Sequence, residues 1–107
     1  MDGKSFQILA ALAAEPSHGY ALRQEVESRT DGEIRLWPAT LYGTLSELDE
    51  RGWITEVPSP VGEGDDPRRR YYALTREGRR ALADEAERLE QLAGLARERL
   101  AAGEAVS

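Results

Sequence analysis

The last third of the chain sets the tightest limit on its fold. From Thr75, which can cap a helix, to about Ala102 there is no proline, and only Gly78 and Gly94 weaken the run. Leu82, Ala86, Leu89, Ala93, Ala96 and Leu100 recur at spacings of four, three, four, three and four. Such a recurrence is the seam of a helix packed along another helix. At about 1.5 Å per residue this rod is roughly 40 Å long, more than a small body can cover. The chain has 107 residues, one small domain by length, and a chain this short often gains stability from a partner subunit. The six seam residues are therefore expected to form a homodimer interface. Residues 75–107 read as a dimerisation helix, joined in one compact unit to a body formed by residues 1–74.

The body punctuates itself. Lys4 to Glu15 is rich in helix formers, with Ile8 and Leu12 on one stripe and Phe6, Leu9 and Ala13 on the next. Pro16 ends it, and Ser17 is placed to cap a second helix that runs to about Thr30 with Leu22 and Val26 inward. After the Asp31-Gly32 turn signal, Glu33 to Leu36 reads as a short extended segment. Pro38 suits the first position of a third helix, Leu41, Leu45 and Leu48 face inward, and Gly52 stops it. Trp53 to Val57 and Arg68 to Leu74 read as two strands, joined by a proline- and acid-rich loop from Pro58 to Pro67. The fold class is thus mainly α with a small β-hairpin. Three helices, a hairpin and a long helix make a winged helix-turn-helix with a C-terminal dimerisation helix.

In such a fold the third helix enters the major groove of DNA. Its front half, Trp37 to Ser46, carries no charge, although charged residues make up 32% of the chain. With the leucines inward, Ala39, Gly43 and Ser46 turn outward, and Thr40, Tyr42 and Glu47 flank them. Small residues let a helix sit deep in a groove. Hydroxyls bond phosphate oxygens or base edges without repelling them. The acids Glu47, Asp49 and Glu50 gather at the far end, away from the partly positive N-terminus.

A net charge of −6 argues against nucleic acid when taken as a total. Its distribution argues otherwise. Arg68 to Arg80 holds six arginines and one acid, a charge of +5, so the remainder of the chain carries −11. A local field decides where a polyanion docks. The acids Glu63, Asp65 and Asp66 stand close enough to pair with Arg68, Arg69 and Arg70 and to weaken that field. Arg76, Arg79 and Arg80 oppose the dipole of the last helix, a placement that asks for a phosphate or a partner's acid.

Other chemistries find little footing. There is no cysteine, and His18 is the single histidine, read as a residue that holds a first helical turn. The chain lacks a phosphate-cradling glycine loop, a nucleophile–base set and a metal-ligand cluster, so neither enzymatic activity nor a cofactor is expected. The longest aliphatic run, Ile8 to Ala14, is too short for a bilayer, and the opening residues lack an export signal, so cytoplasm is expected and no membrane partner. Trp53 and Tyr72 are expected in the core. Trp37 is read as core in preference to an effector pocket.

The residues also carry a resemblance. "SHGYAL" at Ser17 to Leu22, "PATLYGTLSELDERGWI" at Pro38 to Ile54 and "RRRYYALTREGRRAL" at Arg68 to Leu82 closely resemble the PadR family of bacterial transcriptional regulators. The likeness runs from about Ile8 to Leu100, with the elements in family order, and the single terminal helix is similar to the short branch of the family. The resemblance implies a homodimer joined through the terminal helices. It implies binding to a double-stranded operator, usually as a repressor, and it allows release by a small hydrophobic or phenolic effector. The two-fold symmetry of such a dimer in turn predicts an inverted-repeat operator. It puts Thr40 and Tyr42 on recognition positions, Arg69 and Arg70 on the basic wing, and Tyr20 on the second helix's family tyrosine. The direct reading adds Ala39, Gly43, Ser46 and Arg68 to this DNA-facing set. Some short members place a tryptophan midway along the terminal helix to stack on planar drugs, whereas Leu89 stands here. A winged helix that binds protein and not DNA is the competing reading.

Overall fold

The computed structural model describes residues 1–106. Four helices and three strands follow in order: α1 (Gly3–Ala14), β1 (Ser17–His18), α2 (Gly19–Arg29), α3 (Pro38–Glu50), β2 (Ile54–Val57), β3 (Tyr71–Leu74) and α4 (Arg76–Val106). The fold is mainly helical, a winged helix-turn-helix with a small antiparallel sheet and a long C-terminal helix.

Each helix starts where local chemistry allows. The Asp2 carboxylate accepts from the Ser5 N–H at 2.8 Å and caps α1. Ser17, the expected cap of α2, is instead the first residue of β1, and His18 takes the capping role by accepting from the Ala21 N–H through Nδ1 at 3.4 Å. Trp37 gives α3 no side-chain cap, and Pro38 at the first turn starts that helix. The Thr75 hydroxyl accepts from the Gly78 N–H at 3.0 Å and so begins α4.

The sheet differs from a plain hairpin. β3 lies in the middle, in the order β1-β3-β2. Ile54 pairs with Leu74 and Val57 with Tyr71 on one side, while Ser17 pairs with Tyr72 and His18 with Tyr71 on the other. A central strand is covered along both edges, which helps explain why the adjacent Tyr71 and Tyr72 are both buried. The expected extended segment Glu33 to Leu36 forms no strand. Asp31 adopts a left-handed φ of 52° and Gly32 one of 77°, and the Thr30 hydroxyl takes the Ile34 N–H at 3.1 Å, so the backbone curls there and cannot pair with a strand.

One core joins all layers: Ile8, Leu9 and Leu12 of α1, Leu22 and Val26 of α2, Leu36, then Leu41, Leu45 and Leu48 of α3, with Ile54 and Tyr72 from the sheet. Trp53 is half-buried against it. Trp37 is a correction. It was expected inside, but it is 58% exposed, because the preceding Leu36 fills the core position.

The opening of α4 packs on α1 and the sheet, with Leu82 and Ala86 half-buried, and Glu85 is buried. From Glu87 to Ala105 every residue is exposed. At ~1.5 Å per residue, the 31 residues of α4 extend well past a molecule 28 Å by 22 Å across its shorter axes.

Gly78 packs so closely on the carbonyl of Trp53 that a methyl group would overlap it. Gly78→Ala should therefore destabilise the fold by at least ~1–3 kcal/mol, although alanine is the better helix former. Thermal unfolding reads this as a clear fall in Tm, and an unchanged or raised Tm would contradict the packing.

Candidate nucleic-acid interface

A cavity of about 570 Å³ opens between the start of α2, the outer face of α3 and the base of the wing. Its lining brings together Tyr20, Tyr42, Arg68, Arg69 and Arg70, all expected from sequence, with His18, Gly19, Asp66 and Tyr72. These residues come from three separate parts of the chain. Gly19 makes the convergence possible: a Cβ there would stand 3.3 Å from the Tyr42 hydroxyl and from Leu41, so α2 and α3 approach through a missing side chain.

Tyr20 and Tyr42 are both more than half exposed. The Tyr20 hydroxyl accepts from Gln24 at 2.9 Å, which sets its ring along α2. Ala39, Gly43 and Ser46 are exposed on α3, and Thr40 is half-buried beside them. These four lie outside the cavity lining and continue the surface along the helix. The Thr44 hydroxyl, by contrast, turns inward and donates to the Thr40 carbonyl at 2.8 Å.

The wing arginines are unequal. Arg68 meets Asp66 through Nε and Nη2, both at 3.2 Å, and its side chain is 89% exposed. Arg69 reaches Asp65 at 3.1 Å. Arg70 has no carboxylate partner among the described residues and lies by the Tyr72 hydroxyl. Burial raises the Tyr72 hydroxyl above its ordinary value, with Glu56 adding to the rise and Arg70 opposing it.

Asp65 is an anchor. It takes the Ser59 hydroxyl at 2.7 Å, the Asp66 N–H at 2.9 Å and the Tyr71 hydroxyl as well as Arg69. The Ser59 and Tyr71 hydroxyls lower its carboxyl to about 2. Burial, and then the positive charge of Arg69, lower the pKa of His18, opposed by Asp65. A neutral imidazole keeps Nδ1 free to cap α2, while its ring meets Tyr71 edge-on at 5.2 Å.

Sequence reading missed the cavity roles of His18, Gly19 and Tyr72, and it weighed Asp66 only as a neighbour in sequence. The run "DDPRRR" was the visible signal for the acid pairing. Nothing in the pattern pointed to His18 and Tyr72 sharing a wall, because that depends on the two-residue strand β1. Among the described residues no group of acids and histidine could hold a metal, and no helix is long and apolar enough to cross a membrane.

A helix-turn-helix with a wing, whose tyrosines and arginines line one surface, defines a regulator-like fold. The family model described as "Transcriptional regulator PadR-like family" matches residues 8–84, and the chain belongs to that family. The family is one of transcriptional regulators and not of enzymes, and membership implies DNA binding. The chain is 37% identical over 87 residues to an uncharacterised 37.1 kDa protein in transposon TN4556 of Streptomyces fradiae, with 81% of this chain and 23% of that protein covered. It is 32% identical over 85 residues to the transcriptional regulator YqjI of Escherichia coli, covering 79% and 38%. The chain thus spans well under half the length of these two relatives. Among solved structures, a PadR family transcription regulator from Clostridium difficile matches with a TM-score of 0.75 at 22% identity, over 92% of this chain and 99% of that one. RosR of H. salinarum matches at 0.66 and 26%, over 95% and 96%.

The low Asp65 pKa has a sign. Its contribution to stability is fully present above the ordinary carboxylate value of ~3.9 and is lost as pH falls through the folded value. Thermal unfolding of the wild type and Asp65→Asn should show a constant Tm gap above about pH 5 that closes towards about pH 2. A gap that stays open in acid would remove the anchor role.

Proposed function

We propose that the chain is a homodimeric repressor that binds an inverted-repeat operator. On this reading α3 lies in the major groove, presenting Ala39, Thr40, Tyr42, Gly43 and Ser46. Tyr20 and the wing residues Arg68, Arg69 and Arg70 hold the flanking backbone. The observation that carries the reading is the meeting of Tyr20, Tyr42 and the three wing arginines on one cavity.

Gly43 gives separate support. A Cβ at this exposed position would meet nothing within 4 Å. Glycine inside a helix costs ~1 kcal/mol relative to alanine, and the fold gains nothing from it here. Close approach of an outside surface accounts for the bare position, as a groove would demand.

The dimer reading rests on α4. Leu82 and Ala86 begin the seam at the edge of the body, and Leu89, Ala93, Ala96 and Leu100 continue it in solvent. Leu92 and Leu95 are also about half exposed. A run of leucines this long on one rod fits a second copy. A small hydrophobic effector would act at that junction, where Leu89 offers an aliphatic surface in place of an indole. Arg76, Arg79 and Arg80 are exposed without an ion pair among the described residues, free to meet phosphate or a partner's acids.

The neutralising pairs Arg68–Asp66 and Arg69–Asp65 favour the second reading, a winged helix that binds a protein without DNA. Salt dependence separates the two. Duplexes enriched from a random pool should show dyad symmetry, and log K should fall by roughly 0.9 per phosphate contact per log unit of salt. Enrichment of no duplex at low salt would leave the protein-binding reading. Sedimentation should give a dimer, and a stable monomer would defeat the seam. Gly43→Ala should raise stability by up to ~1 kcal/mol while lowering duplex affinity several-fold. Raised Tm with undiminished affinity would take α3 out of the groove.

A further inference from the structure

We propose that Trp37 is a specificity-determining residue that reads a thymine methyl at the N-terminal end of α3. The inference rests on α3 being the helix that enters the major groove.

Trp37 is the largest side chain that the fold leaves mostly in solvent. Its exposure is 58%, while Leu36 beside it is fully buried and Pro38 after it opens the helix. The backbone on both sides is therefore fixed, and the indole is held out at a set place. Nothing in α3 asks for it: it forms no side-chain cap. An apolar ring left in water gives up the stabilisation that burial would supply. The position calls for an outside partner.

Its place in the fold says which partner. The Arg23 guanidinium lies over the ring at 5.6 Å, within cation–π range, and Arg23 Nε also bonds Glu27 at 3.2 Å. Arg23 is one helical turn along α2 from Gly19 and Tyr20, which line the cavity. Trp37 thus lies outside the cavity but touches Arg23, which stands one turn from two of the cavity's lining residues. On its other side it leads directly into Pro38, Ala39 and Thr40 at the neutral front of the recognition helix. With Arg23 against one side of the ring, the exposed remainder of the indole supplies apolar surface and a single N–H donor, and itself no charge for a phosphate. In the major groove the apolar feature a base pair offers is the C5-methyl of thymine. Arginines and tyrosines hold the backbone, and Trp37 adds a contact that depends on sequence.

Uracil tests this, because it removes only the methyl group. The full chain is used to enrich duplexes from a random pool, and each thymine of the selected duplex is replaced by uracil in turn. One position in each half-site should cost the wild type several-fold in affinity. Trp37→Ala should bind the thymine duplex about ten-fold more weakly, be indifferent to uracil at that position, and keep the salt slope. Wild-type fluorescence should change on binding, and the change should vanish in Trp37→Phe. If Trp37→Ala enriches the same motif with equal affinity and the uracil series is flat, the inference falls while the α3 reading stands. If the wild type enriches no motif, both fall. Lost affinity accompanied by a changed oligomeric state in sedimentation assigns Trp37 to a protein contact and overturns the proposal. Should Trp37→Ala not fold, the uracil series on the wild type decides alone.

Discussion

The geometry of the whole molecule hangs on Thr75. Its hydroxyl donates to the Gly52 carbonyl at 2.6 Å and accepts from the Gly78 N–H, while its own N–H donates to the Trp53 carbonyl at 3.0 Å. Those few bonds tie the end of α3, the start of β2, the end of β3 and the start of α4 to one point. Gly52, with a φ of 77°, turns the chain sharply enough to reach it. Gly78 lets the α4 backbone close on it. The angle between α3 and the wing, and the direction in which α4 departs, both follow from this junction.

Around that point the core needs little invention. Helices α1, α2 and α3 each contribute leucine, isoleucine or valine at helical spacing, and the central strand adds Tyr72. The polar chemistry is pushed to one side. Tyr20, Tyr42 and the wing arginines share a surface because α2 and α3 touch at Gly19 and because β1 draws the start of α2 onto the sheet. A two-residue strand therefore does more for the site than its size suggests: it puts His18 against Tyr71 and beside the wing.

That strand marks the limit of what sequence alone could show. Pro16, Pro38, Gly52 and Thr75 are strong local signals, and the helices begin or end close to them. Leu41, Leu45 and Leu48 gave the inward face of α3, which fixed Ala39, Gly43 and Ser46 outward. Ser17 and His18 offered no periodicity in two residues, and their pairing depends on β3, more than fifty positions away. Glu33 to Leu36 looked extended by composition, but a left-handed Asp31 and the Thr30 hydroxyl bend the chain first. Trp37 went astray for another reason. Size and apolarity favour burial in general, yet Leu36 had already filled the space, so the next residue had to face out.

The paired wing has a kinetic side. Two of its three arginines already spend their charge on Asp65 and Asp66, and the body is acidic. On the proposed DNA-binding reading, a wing neutralised in this way would exert less long-range pull on a duplex than three unpaired arginines. Such a wing would give up some speed of encounter and in return linger less on the wrong stretch of genome. Arg68, the more exposed of the two, would on that reading trade its carboxylate for a phosphate only once the fit elsewhere is good, so that its grip would follow recognition.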